Sequence, residues 1–592
     1  MRIYNAFCFL FIALITNPVY ASLQQTKKDQ PNVILIITDD QGYGDFGFTG
    51  NPHVKTPVID NLAQESVRLN NFYVSPVCAP TRSSLMTGRY SLRTGVRDTY
   101  NGGATMATEE ITLAEMLKDA GYETGAFGKW HLGDNYPFRP GDQGFDESLI
   151  HLAGGMGQPG DFTTYFQKDR SYFDPTLWYN GKQKSFLGYC SDIFTNEAIR
   201  FVESQSPDKP FFMYLAFNAP HTPLQVPDEY YQKYKDIDPS SGFGGNGMPM
   251  PEMSEKDKED ARKVYAMVSN IDDNIGKLMQ KLDDLNISEN TIVIFMTDNG
   301  PQQFRYVAGM RGKKGNVYRG GVRVPFLIKY PKGLKPNQEV NATLAHIDVL
   351  PTLAELCQAK VPTDREIDGL SFAGLLEEKD ENEAAFEERP LFFYWTRKLP
   401  ELYENIAIQK GPYKLVGNTG YDAVPKDFEL FHLGNDPYEL DNIVANHPEK
   451  ANELKRSMDQ LVDELTGSPN LMEDHMPIIG TKHENPLILN RNDASGQRGI
   501  WTQEEIYGYW NVEILEGNYN IRYKFIEPLK KAGKVMLETK AQIIQSQMKQ
   551  MPTDVIDLKN VHLKHYKGSV TPHFMSGGKS IFPLWVEFER ID

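Results

Sequence analysis

The chain has 592 residues, with 79 acidic against 62 basic side chains and a formal net charge of −17. Single cores stop growing at roughly 250–300 residues, so several domains are expected, and the acidic balance excludes a general nucleic-acid binder with a broad basic footprint. Hydrophobic residues at 40% and charged residues at 24% exclude the disordered and fibrous classes.

Residues 1–21 combine Arg2, an apolar run from Phe7 to Ile15 and the sequence Val19-Tyr20-Ala21, the pattern of a cleaved export signal. No later stretch has the roughly 18 apolar residues of a membrane helix. A periplasmic or secreted product without membrane insertion is therefore expected. Cys78, Cys190 and Cys357 follow the signal, an odd number whose spacing matches neither a disulfide framework nor a thiolate metal site. Cys190 and Cys357 read as small buried hydrophobes.

Asn32–Thr38 is a short run rich in Ile and Val, suited to a parallel strand buried on both faces, and it ends in Asp39-Asp40. The same pattern returns at Thr291–Gln302, where a branched apolar strand ends in Asp298-Asn299-Gly300. Ligands of open α/β sheets sit outside the carboxyl ends of strands, so these four polar residues are expected to converge. Between the two lie a helix capped by Thr108-Glu109-Glu110 and closed by Gly121, helices over Asp192–Ser204 and Asp260–Leu285, and a strand over Pro210–Ala216. This layering predicts an α/β fold with a central, mostly parallel sheet. Gly133–Leu187 and Val226–Ser254 read as irregular pocket-rim segments. Glu377–Glu388 reads as a solvated linker.

Beyond the linker, short strands and a helix near Ala451–Glu464 predict a small α+β unit over about Pro390–His475. From His483 onward, alternating segments such as IRYKFIEPL and FPLWVEFERI predict an antiparallel β region. The expected division is 1–21 signal, 22–385 catalytic domain, 386–475 small α+β subdomain and 476–592 mainly β accessory region.

The segment FYVSPVCAPTRSSLMTGRY has two physical readings. Either Cys78 is a nucleophile near Arg82, whose paired donors orient an anionic substrate, or it is a buried thiol beside a turn. Ser83 and Ser84 are expected to cap the following helix.

Cys78-Ala79-Pro80-Thr81-Arg82, continued by Gly88-Arg89, resembles the modification signature of type I sulfatases of the alkaline-phosphatase-like superfamily. The resemblance covers about Pro31–Asn470 and implies that a formylglycine-generating or sulfatase-maturing enzyme converts Cys78 to Cα-formylglycine. It also places Asp39, Asp40, Asp298 and Asn299 around one divalent cation, Ca²⁺ in this family; hard oxygen donors independently favour Ca²⁺ or, alternatively, Mg²⁺. An isolated Lys or His in FGKWHLG, NAPHTP or RGKKG reads as structural or solvent-facing. The family's ordered motifs instead assign Lys129, His131, His221 and Lys314 to catalysis, Lys314 rather than Lys313 because it directly precedes Gly315. If extended, FGKWHLG places Lys129 and His131 on one face.

The implied mechanism is attack of one hydroxyl of the hydrated aldehyde at position 78 on sulfur. Arg82 holds the aldehyde, Lys129 and Lys314 offset sulfuryl charge, and His221 protonates the departing oxygen. His131 then deprotonates the second hydroxyl to release sulfate from the covalent hemiacetal. By analogy the substrate is a sulfated carbohydrate, especially a polysaccharide-degradation product. His151, Trp178, Tyr179, Tyr394 and Trp395 are candidate rim groups, although each alone reads as structural. Competing classes are a phosphonate or phosphate-diester hydrolase with the same apparatus and an inactive glycan-binding protein.

Overall fold

The computed structural model describes residues 30–243, 249–377, 383–397, 399–497, 499–549 and 551–592. The export signal expected at 1–21 lies outside them.

An eleven-stranded mixed sheet carries the first part of the chain. Its strands are β1 (Asn32–Thr38), β2 (Val67–Tyr73), β3 (Glu123–Lys129), β4 (Glu147–His151), β5 (Thr176–Tyr179), β6 (Lys182–Ser185), β7 (Phe211–Ala216), β8 (Thr291–Thr297), β9 (Arg323–Val324), β10 (Phe326–Lys329) and β11 (Gln338–Ala345). The order is β11-β2-β10-β8-β1-β7-β3-β4-β5-β6, with β9 on β2. Strands β8, β1, β7, β3 and β4 pair in parallel, in the register Leu35↔Ile294 and Leu35↔Tyr214 around β1.

The apolar runs of β1 and β8 occur because helices cover both faces. Val33, Leu35 and Ile37 enter one core with Leu85, Leu113 and Leu350, while Ile34 and Ile36 enter the other with Phe194 and Ile271. This is the period-two alternation of a strand buried on both sides, each such side chain contributing about 1.5–3 kcal/mol of burial. The second face is covered by helices Cys190–Ser204 and Glu255–Asp284.

Four local expectations shift. The cap of the Leu113–Asp119 helix is Thr112, not Thr108: Thr112 Oγ1 accepts from the Glu115 N–H, and the Glu115 carboxylate accepts from the Thr112 N–H. Glu110 instead pairs with Arg89. Ser83 and Ser84 lie inside a helix that begins at Cys78, so they cap nothing. The segment Gly133–Leu187 is less irregular than its composition implies, because it supplies β4, β5 and β6. The acidic stretch read as linker contains the Glu383–Glu388 helix, which buries Phe386 in the first core; residues 378–382 lie outside the described set.

A four-stranded antiparallel sheet follows, β12 (Leu391–Tyr394), β13 (Ile406–Lys410), β14 (Tyr413–Gly417) and β15 (Glu429–His432), covered by the Pro448–Thr466 helix. The remainder forms one seven-stranded and one four-stranded sheet around Trp510, Tyr523, Phe525 and Phe588. This β-rich part is anchored to the first. Leu584 packs with Leu152 and Phe162, Asn490 Nδ2 donates to Asp134 at 2.8 Å, and Asn135 Nδ2 donates to the Ile488 carbonyl at 3.0 Å. Within the described residues no helix is long and apolar enough to cross a membrane.

Candidate active site

The polar residues gather at the carboxyl edge of the parallel strands. Asp39 and Asp40 follow β1, Asp298 and Asn299 follow β8, Lys129 ends β3, and His221 follows β7. Parallel pairing of β1 with β8 brings the two acidic ends together: the Asp40 N–H donates to Asp298 Oδ1 at 3.1 Å, and Asn299 Nδ2 donates to Asp40 Oδ1 at 2.9 Å. Asp40 has a left-handed backbone, φ 60°, and Arg305 braces it by donating to the Asp40 carbonyl at 2.8 Å while paired with Asp45 at 2.7 Å. Such strain persists where surrounding contacts over-determine it.

Cys78 is the first residue of the Cys78–Thr87 helix, every residue of which is buried. Its Sγ lies 3.5 Å from His131 Nδ1, and His131 Nε2 contacts the Thr99 carbonyl at 2.7 Å. Burial raises the Cys78 thiol pKa against the pull of Lys129 and Lys314. As a cysteine, position 78 is therefore a poor nucleophile.

Three cations face the acidic cluster. Lys129 Nζ is 2.6 Å from Asp39 Oδ2, with both side chains fully buried, and Lys314 Nζ is 2.6 Å from Asp40 Oδ1. Arg82 donates through Nε and Nη2 to Asp298 Oδ2 at 3.2 and 2.8 Å, and through Nη1 to Tyr214 and the Lys129 carbonyl. Its fork is thus spent on the protein. His221 Nε2 lies 3.7 Å from Asp40 Oδ2.

Burial sets the direction of most titrations here. It pushes Asp298 up to about 7, with Asp39 adding to the effect. It lowers His221 to about 3 against the opposing charge of Asp40, and lowers His131 well below its ordinary value with help from Lys129. Asp40 goes the other way: burial alone would raise it, but the charges of Lys314, His221 and Lys129 and the Lys314 hydrogen bond combine to lower it.

The donor set fits a hard cation. Asp39 Oδ1, Asp40 Oδ2 and Asn299 Oδ1 are buried without a hydrogen-bond partner, a costly state for buried polar oxygens unless something binds them. Asp39, Asp40 and His221 bring ligand atoms within 4.8 Å of one another, as do Asp39, Cys78 and Asp298. Gln41, next to Asp40 in sequence, is fully buried with both amide atoms unpartnered, a neighbour that the Asp-Asp motif alone did not single out.

A cleft of about 270 Å³ opens on this centre, lined among others by Cys78, His131, His221, Lys314, Trp395 and Trp501. Of the five candidate rim residues, Trp395 lines it. His151 is buried at the end of β4, where burial lowers it to about 3 and its Nδ1 contacts the Leu152 carbonyl. Trp178 faces a separate cavity with Arg139 and Glu484, Tyr179 bonds Glu147, and Tyr394 bonds Thr396. The neighbours Thr99, Gln158, Gln302 and Arg397 also line the cleft, yet no motif marks them, since they meet only through tertiary folding. FGKWHLG is not extended throughout: β3 ends at Lys129, and His131 has a φ of 60° that turns it toward Cys78.

The sulfatase family model matches residues 31–359, and a model of the N-sulphoglucosamine sulphohydrolase C-terminal part matches 312–467. Human N-acetylgalactosamine-6-sulfatase is 31% identical over 69% of this chain and 80% of its own length. An ulvan-active sulfatase of Formosa agariphila is 33% identical over 59% of this chain and 66% of its own. The crystal structure of Ps i-CgsB in complex with k-i-k-neocarrahexaose, at 29% identity, covers 74% of this chain and 94% of that one with a TM-score of 0.62. The first model spans more than half of the chain and includes β1, the Cys78 helix, β3, β7 and β8, the elements that build the buried acidic and cationic centre, so this chain belongs to the sulfatase family.

Proposed function

We propose that this sulfuric ester hydrolase removes sulfate from an oligosaccharide of a sulfated polysaccharide, outside the cytoplasm, after export and maturation of Cys78 by a formylglycine-generating or sulfatase-maturing enzyme. The observation that carries the reading is the meeting, at one cleft floor, of Cys78, His131, His221 and Lys314 over unpartnered acidic oxygens.

Asp39, Asp40, Asp298 and Asn299 would hold one Ca²⁺, or alternatively Mg²⁺, through hard oxygen donors. With formylglycine at position 78 and a cation bound, the centre would supply a hydrated-aldehyde oxygen as nucleophile and a Lewis acid for the sulfate oxygens. Lys314, held by Asp40, and Lys129, held by Asp39, are fixed cations for the charge that develops on the sulfuryl group. Arg82 acts from behind by orienting Asp298 and the Lys129 carbonyl.

His221 carries a proton to the departing alcohol oxygen. Burial keeps it neutral in the substrate-free protein, while Asp40 at 3.7 Å favours its protonated form. The negative charge of an arriving sulfate ester acts in the same direction as Asp40. His131, neutral and against position 78, is the base that takes the second proton and frees inorganic sulfate.

The test is sulfate release from a panel of defined sulfated oligosaccharides by protein whose Cys78 peptide has the formylglycine mass. Release from a defined linkage is expected. No release by fully matured protein, together with cleavage of phosphonate monoesters or phosphodiesters, would overturn the sulfate assignment.

A further inference from the structure

Beside the cleft lies a packed series of side chains that the catalytic steps do not use. Trp395 lies against the loop of Lys314, since a Cβ on Gly315 would meet its indole at 3.1 Å. The Arg397 guanidinium lies 4.7 Å from the centre of the Trp395 ring and 4.8 Å from that of Tyr100. Tyr100 in turn lies 5.2 Å from Trp501. The series therefore joins the catalytic part, the α+β unit and the β-rich C-terminal region, and Trp501 stands outside the 31–467 span that the family models match.

The hydrogen bonding of Arg397 is one-sided. Its Nη1 donates to buried Asp98 at 2.9 Å and to Thr99 Oγ1 at 3.1 Å, whereas Nε and Nη2 have no protein partner among the described residues. The side chain is 46% exposed. Neighbouring rings cover part of a guanidinium's faces and leave its in-plane N–H groups as its polar outlets. The Nε and Nη2 hydrogens form a side-on fork whose spacing matches two oxygens of a carboxylate or sulfate. The indole N–H of Trp501, another cleft-lining group, is buried without an acceptor.

We infer that the free Nε/Nη2 edge of Arg397 binds a second anionic group of the same glycan, sulfate or carboxylate, on the sugar next to the one that loses its sulfate, with Trp501 lending its ring to that neighbour. This deepens the carbohydrate sulfatase reading and rests on it: the substrate class becomes a polyanionic oligosaccharide. The β-rich region is then a wall of the substrate cleft as well as a structural appendage.

Affinity tests this without turnover, using a Cys78→Ala background and calorimetry. The probes are disaccharides built on sulfated galactose, N-acetylgalactosamine, glucosamine and fucose. Each is made in three versions, with a neutral neighbour, a sulfated neighbour or a uronate neighbour. A charge-assisted bond to an ion is worth about 1.5–3 kcal/mol, so a doubly anionic version is expected to bind about 10- to 100-fold more tightly than its neutral-neighbour counterpart. The preferred version identifies the anion. Adding R397A is expected to abolish that ratio, and R397K to retain only part of it, because an ammonium keeps the charge and lacks the fork.

A purely structural role for Arg397, through Thr99 and its contact with His131, would weaken every version equally and leave the ratio intact. That result, or a panel in which no doubly anionic sugar binds more tightly, overturns the inference. Sulfate release by the matured wild-type protein is a separate readout, and its failure would strike the catalytic reading instead.

Discussion

Two lysines of the same formal role differ in what surrounds them. Lys129 and Asp39 are both fully buried, so Lys129→Ala leaves an unpaired carboxylate inside the protein, a loss expected to cost about 3–5 kcal/mol in urea unfolding. Lys314 borders the cleft with 13% of its side chain exposed. Lys314→Ala is expected to lower kcat for sulfate release by about 10²–10³-fold, as for the loss of one transition-state donor, with a smaller change in stability. Equal stability losses in the two variants would contradict this division. Both lysines could be picked out by family motif, but their separate burdens could not. Nothing local to FGKWHLG or RGKKG says which ammonium is sealed beneath the floor.

At the scale of elements, β3 and the loop before the Cys78 helix each depend on one position. Gly128 pairs with Ala216 of β7 at φ 111°, and a Cβ there would stand 1.8 Å from the Ala216 carbonyl oxygen. Gly128→Ala should therefore destabilise by about 1–3 kcal/mol through overpacking and displace Lys129 one residue later, so that thermal stability and sulfate release fall together. The loop is held by His346, whose Nε2 lies 3.0 Å from Ser75 Oγ and which burial lowers from 6.5 to about 3.

A histidine depressed in the folded state stabilises above its unfolded pKa, and that contribution is lost as pH falls toward the folded one. Between pH 6.5 and about 3 the unfolded chain holds the extra proton. Relative to His346→Gln, the wild-type protein should lose about 1.4 kcal/mol per pH unit across that window. Parallel pH–stability curves would show that His346 does not titrate in this way.

Over the whole molecule, two terms hold separate pieces together. The unpartnered oxygens of Asp39, Asp40 and Asn299 are clustered buried acceptors that a bound cation would satisfy. Chelation should lower Tm and added Ca²⁺ should restore it, with about 2.7 kcal/mol of stabilisation at a hundredfold excess over Kd. A Tm indifferent to chelator and to both Ca²⁺ and Mg²⁺ would remove the cation from this account. The β-rich region covers Leu152 and Phe162 and bonds Asp134 and Asn135. A chain ending at residue 475 is therefore expected to expose apolar surface, and dye binding with loss of monomer on gel filtration would register it.

Much of this was legible along the chain. Asn32–Thr38 coincides with β1, and the Ile and Val run at Thr291 becomes β8, because an almost wholly apolar strand can be satisfied only by cover on both faces. Cys78–Arg82 carries its meaning in contiguous residues, so its match to the family's signature can be read along the chain. Capping was less legible, since Thr108 and Thr112 offer the same hydroxyl and only the three-residue spacing to Glu115 closes the box. The rim was least so. Trp178, Tyr179, Tyr394 and Trp395 are alike as isolated aromatics, yet only Trp395 reaches the cleft, where it meets Arg397, Tyr100 and Trp501 from distant parts of the chain. Local chemistry and strand burial are written in neighbouring residues, and the sequence by itself determined them. Which alcohol-side groups surround the sulfate depends on long-range packing, and only the tertiary structure decided that.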